Sequence, residues 1–127
     1  MTTHWTIGGD AADPQRLAAF WALALGYVPE PGYDFEDGAS LVDPDGRLPA
    51  ISFLRVPEGK TAKNRIHIDI RVAAEQPVEP GVRAEWIWAK VAELVGAGAT
   101  TVREEWYGEE LGHITMLDPE GNEFCVA

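Results

Sequence analysis

The sequence has a single cysteine, Cys125, so no disulfide can form within the chain and a reducing compartment is the expected setting. Basic residues are scarce: 10 Lys and Arg stand against 21 Asp and Glu, giving a formal net charge of -11. Nonspecific attraction to nucleic acid or anionic lipid needs a basic surface, so neither is an expected partner. The acidic residues are spread along the chain rather than gathered in a tail, as on a solvated surface. Apolar runs of about 18 residues are absent, and MTTHWTIGGD at the start has neither a basic region nor an apolar stretch. A membrane span and a signal peptide are therefore not expected, and the protein is read as cytoplasmic. What is present, 127 residues of which 46% are hydrophobic, suits one domain with a real core.

The stretch KNRIHIDIRV, Lys63 to Val72, organises the rest. From Arg65 onward it alternates, with Arg65, His67, Asp69 and Arg71 at one parity and Ile66, Ile68, Ile70 and Val72 at the other. Side chains of a strand alternate between faces, so a strand is expected here with one aliphatic face and one ionisable face. The ionisable face has two readings. It is a buried ion network, or it lines a cleft in which an arginine clamps an anionic oxygen and His67 moves a proton near neutral pH.

On either side of that strand the chain reads as a repeat. In the first half a short β-compatible stretch, His4 to Asp10, precedes a helix with Asp13 as N-cap, Pro14 at the first helical position and Gly26 as the stop. Leu17, Phe20, Trp21, Ala24 and Leu25 form its apolar stripe. Tyr27 to Gly32 is an edge strand or extended loop, and a polar connector with Asp34, Glu36 and Asp37 is expected to be mobile. Strands at Ser40 to Val42 and Ala50 to Val56 flank the turn Asp43-Pro44-Asp45-Gly46. In the second half a helix is expected from about Val82 to Val95, with Ala84, Ile87, Trp88, Val91 and Val95 facing a sheet. Strands are expected at Thr100 to Glu104, His113 to Leu117 and Glu123 to Ala127, with a loop at Trp106 to Gly112. The turn Asp118-Pro119-Glu120-Gly121 answers the first one.

Each half thus reads βαβββ, and the expected fold class is α+β: module 1 at about residues 4–58, module 2 at about residues 63–127, in a single domain. Two such units pair edge to edge into a long, curved sheet with helices outside and a concave cleft inside that suits a small molecule. Exposed strand edges make a homodimer the expected assembly. Trp106 and Tyr107 place large rings in a polar loop, where they wall a cleft and stack on a flat organic ligand or bury at a subunit interface.

The strings DAADPQRLAAFWALALGY, FLRVPEGKTAKNRIHIDIRV, LVGAGAT and LDPEGNEFCV, in this order on a matching repeat, resemble the vicinal oxygen chelate superfamily. More narrowly they resemble its glyoxalase-like domain branch; the superfamily also holds glyoxalase I, bleomycin-resistance proteins and extradiol dioxygenases. The resemblance implies paired βαβββ modules forming a curved, incomplete barrel around a ligand site, without fixing a reaction. Members commonly carry four metal ligands, His or Gln and Glu, on the first and last strands of each module. Carried over, these positions fall on Thr6, on Ser52 or Leu54, on His67 and on Cys125, so that only His67 is a usual ligand.

The resemblance therefore implies no standard divalent centre. Should a metal such as Zn, Ni, Fe or Mn be held, His67 and Cys125 with Glu123 or Asp69 form the set. Otherwise Cys125 reads as a small buried residue, and His113, at a strand start, as solvent-facing. The leading expectation is a protein that binds a small organic molecule, with His67, Asp69 and Arg71 as catalytic groups and Thr6, Leu54, Arg65, Trp106, Tyr107 and Cys125 around the ligand. It acts by sequestration or acid and base chemistry. The alternatives are a metal-dependent lyase or dioxygenase that uses His67, and a non-catalytic dimeric assembly domain.

Overall fold

Asp13 and Pro14 start the first helix as their chemistry demands. The Asp13 carboxylate accepts from the Arg16 amide at 3.2 Å, Pro14 lacks the amide that would be left over, and Gly26 ends the helix at φ 71°. The computed structural model describes residues 1–127 as two units, Met1–Gly59 and Lys60–Ala127. Each has the same order of elements, a strand, a helix and three strands.

Unit 1 contains β1 (Ile7–Ala11), α1 (Pro14–Leu25), β2 (Val28–Pro29), β3 (Gly38–Val42) and β4 (Ile51–Arg55). Its sheet order is β1-β4-β3-β2: β1 runs parallel to β4, and the other pairs are antiparallel. Leu17, Phe20, Trp21 and Ala24 are buried at helical spacing and pack against Leu41, Ile51 and Phe53 of the sheet. Phe20 and Trp21 meet edge to face, with ring centroids 5.4 Å apart. The polar connector is fastened rather than loose. The Gln15 side-chain amide donates to the carbonyls of Phe35, Glu36 and Gly38 at 3.2, 2.9 and 3.0 Å.

Unit 2 contains β5 (Asp69–Ile70), α2 (Pro80–Gly96), β6 (Thr100–Tyr107), β7 (Glu110–Leu117) and β8 (Glu123–Val126), in the order β5-β8-β7-β6. Again the first strand runs parallel to the last and the remaining pairs are antiparallel. Both sheets are mixed and four-stranded, and neither closes into a barrel. Ile87, Val91 and Leu94 of α2 are buried against Ile114, Met116, Phe124 and Val126. Neither helix is long and apolar enough to cross a membrane.

Three sequence expectations are corrected here. The strand at Arg65 to Val72 shrinks to Asp69–Ile70, with ladder bonds running only from Ile68 to Val72. The cause is Asn64, whose side chain donates to the Glu123 carbonyl at 3.0 Å and accepts from the Glu123 amide at 2.9 Å. A side-chain amide thereby takes the β8 backbone groups that an extended β5 would have paired. Residues 64–67 leave the ladder, Ile66 is 87% exposed, and Ile68, Ile70 and Val72 are only half-buried.

The loop expected at Trp106 to Gly112 is the tip of a long hairpin. Gly108, at φ 67°, makes the reversal that lets β6 run through Tyr107 and β7 begin at Glu110. The stripe of α2 is also rotated. Trp88, at 42% exposure, and Val95 point outward while Leu94 is fully buried, because the face at positions 87, 91 and 94 is the one that meets β7.

Candidate functional site

The alternation of β8 divides the surroundings of unit 2. Phe124 and Val126 enter the core under α2, so Glu123 and Cys125 project from the opposite face. On β7, Ile114 and Met116 take the core side and His113 and Thr115 the other. Asp69 of β5 and Arg103 of β6 complete that face, and together these side chains line a cavity of about 600 Å³ that lies wholly within unit 2. Arg83, from the first turn of α2, closes its rim by donating to the carbonyls of Leu111 and of Gly112, the latter at 3.2 Å.

Three of the lining residues, His67, Asp69 and Cys125, meet one another. The Nδ1 of His67 lies 2.9 Å from an Asp69 carboxylate oxygen. An ionised carboxylate only accepts, so Nδ1 carries the hydrogen and Nε2 is left as the nitrogen able to take a proton. Asp69 is the register partner of Cys125 across the parallel β5–β8 pair. One donor atom from each of the three residues falls within 4.8 Å of the others. Burial pushes the Cys125 thiol up and the Asp69 charge adds to the rise, while a contact with the Thr115 hydroxyl at 3.7 Å opposes it. Cys125 is half-buried and lines the cavity, not the small core residue expected.

The four-residue buried ion network is not formed. His67 and Asp69 pair with about half of each side chain exposed, where an ion pair contributes about 0–1 kcal/mol. Arg65 and Arg71 join no ion pair, and Arg65 lies outside the cavity whereas Arg71 lines it. Glu123 also lines it, but its carboxylate is held by Lys63 at 2.7 Å, which keeps it below the usual carboxylate range.

Tyr107 enters the site and Trp106, next to it, does not. The Tyr107 ring lies so close over Gly112 that a Cβ there would overlap it. Its hydroxyl is 3.3 Å from Nδ1 of His113, and the two rings are tilted by 59° with centroids 6.3 Å apart. His113 is thus half-buried against the cavity rather than solvent-facing. Thr6 and Leu54 belong to unit 1. Thr6 is exposed just before β1, and Leu54 closes over Gly38 together with Tyr33 and Phe35.

Lys63, Arg83, Arg103 and His113 were not legible as site residues. Arg103 and His113 share the parity of the cavity face, but strand parity is useful only once the hairpin register is known.

Compared with known proteins, residues 6–127 match the glyoxalase-like domain family. No curated protein matches the chain significantly. Among solved structures, a glyoxalase/bleomycin resistance protein/dioxygenase family enzyme from Burkholderia phytofirmans superposes with a TM-score of 0.73 at 17% identity, covering 95% of this chain and 94% of that one. A possible glyoxalase from Bacillus cereus has a TM-score of 0.69 at 15% identity, covering 99% and 98%. A mutant of the fosfomycin resistance protein FosX from Listeria monocytogenes, complexed with Mn(II) and a dihydroxypropylphosphonic acid, has a TM-score of 0.69 at 12% identity, covering 99% and 90%. At such identities the likeness establishes the fold alone.

Proposed function

This chain belongs to the glyoxalase-like domain family, within the vicinal oxygen chelate superfamily, and we propose that its second unit binds a small organic molecule without a standard divalent metal. The observation that carries this reading is the His67–Asp69 pair on the wall of a 600 Å³ cavity, a volume in the range of small-molecule sites. Asp69 orients the His67 ring and Nε2 removes or returns a proton on the bound molecule. Arg71 steadies the oxygen on which charge develops. The protein acts as a homodimer in the cytoplasm, in keeping with exposed strand edges and a free thiol.

A second reading has its own observation: His67, Asp69 and Cys125 offer nitrogen, oxygen and sulfur donors within 4.8 Å. The set suits a borderline divalent ion such as zinc, which would act as a Lewis acid.

Elemental analysis of protein purified without tag or chelator, beside His67→Ala, separates the two. Metal-free protein that quenches its Trp fluorescence on titration with small organic molecules supports the first reading. About one metal per chain, lost in the variant, overturns it.

A further inference from the structure

The cavity is basic although the chain is acidic. Four of the seven Lys and Arg of unit 2 line it, Lys63, Arg71, Arg83 and Arg103, against two of its twelve Asp and Glu. Three of the four cations are already engaged. Lys63 holds Glu123 at 2.7 Å, Arg103 holds Glu105 at 2.8 Å, and Arg83 is tied to the carbonyls of Leu111 and Gly112 with Glu110 at 3.8 Å. Arg71 alone has neither an ion pair nor a side-chain hydrogen bond, so a single guanidinium remains for a ligand.

We infer that the cavity selects a flat organic monocarboxylate, held by the Arg71 fork at its charged end and by the Tyr107 and His113 rings along its body. The inference rests on the ligand-binding reading above and names the ligand's class. A guanidinium presents parallel N–H groups that match a planar carboxylate in a bidentate manner. A phosphate or phosphonate brings up to two charges to a site with one unpaired cation, and its second charge would share the cavity with the carboxylates of Asp69 and Glu123. The tilted rings of Tyr107 and His113, which line the same cavity, offer flat apolar surface to the body of the ligand.

The test titrates benzoate, its neutral counterpart benzamide, and phenylphosphonate into the full chain by calorimetry at low salt. The expected result is benzoate binding about tenfold or more tighter than either of the others. Arg71→Ala should remove that preference, and the parent's circular dichroism spectrum and urea-unfolding midpoint, retained in the variant, show that it is folded. Arg71→Lys should recover only part of the preference, and Arg65→Ala, outside the cavity, should keep all of it. Equal binding of benzoate and benzamide, or tighter binding of phenylphosphonate, overturns the monocarboxylate class and leaves the binding cavity standing. Failure of all three probes at millimolar concentration overturns both.

Discussion

Asp69 stands opposite Cys125 across the only parallel pair of the second sheet, and the same carboxylate takes the His67 ring nitrogen at 2.9 Å. The short β5–β8 pairing, with His67 two residues ahead of Asp69, therefore sets three reactive side chains together, and the thiol responds to its neighbours. Burial, aided by the Asp69 charge, holds Cys125 in its neutral form above the ordinary thiol range.

Alkylation of Cys125 by iodoacetamide should accordingly be slower at pH 8 than that of a free thiol and should rise only at more alkaline pH, since the thiolate is the reacting species. Asp69→Asn removes the negative charge and should shift the rate profile toward lower pH. An unchanged profile would mean that the carboxylate does not act on the thiol.

Gly112 matters for the Tyr107 ring more than for the backbone. In Gly112→Ala the new methyl group must displace a ring that it would otherwise overlap. Tyr107 is 66% exposed and free to swing, so the cost to stability should be about 1 kcal/mol or less, read by urea denaturation. The His113 imidazole signals in NMR should shift as they do in Tyr107→Ala. Different shifts in the two variants would show that the ring stays in place.

The two Asp-Pro turns should differ in their sensitivity. The Asp118 carboxylate, in a residue that is 4% exposed, accepts from the amides of Glu120 and Asn122 and from the Asn122 side chain. Asp118→Ala leaves those donors unanswered and should cost about 1–3 kcal/mol by denaturant unfolding. Asp43 accepts from the amides of Asp45, Arg47 and Leu48 in an exposed turn, so Asp43→Ala should cost less.

The amide of Asp45, with those of Leu48 and Arg47, holds Asp43 below the usual carboxylate range. Its stabilisation is therefore fully present above the unfolded-state pKa and is lost as pH falls through the lower folded value. Unfolding midpoints followed from pH 6 down to pH 2 should decline less in Asp43→Asn than in the parent, and parallel curves would refute the assignment.

The helix starts and the turns were legible because single residues enforce them: Asp13 with Pro14 at one helix, and Gly46 and Gly121, both at positive φ, in the turns. The βαβββ repeat followed from their order. The organising strand was overread because alternation in Arg65 to Val72 says nothing about the competing Asn64 amide, which sits before the run and bonds to Glu123 far along the chain. Trp106 and Tyr107 looked like loop residues because the polar segment around Gly108 carries no apolar alternation, and the hairpin is held by ladder bonds instead.

By itself, then, the sequence determined the fold class, the acidic surface and the alternation that sets His67, Asp69 and Arg71 at one parity, since each depends on local spacing or on composition. Tertiary structure decided which of those groups share a site with Cys125, Tyr107, His113, Arg83 and Arg103. Those neighbours come from four different elements, β8, β6, β7 and α2, and only the register of β5 on β8, of β8 on β7 and of β7 on β6 brings the strand residues to one cavity. It also decided which cation is left for a ligand. That depends on partners such as Glu123 and Glu105, chosen by geometry and invisible to any local pattern.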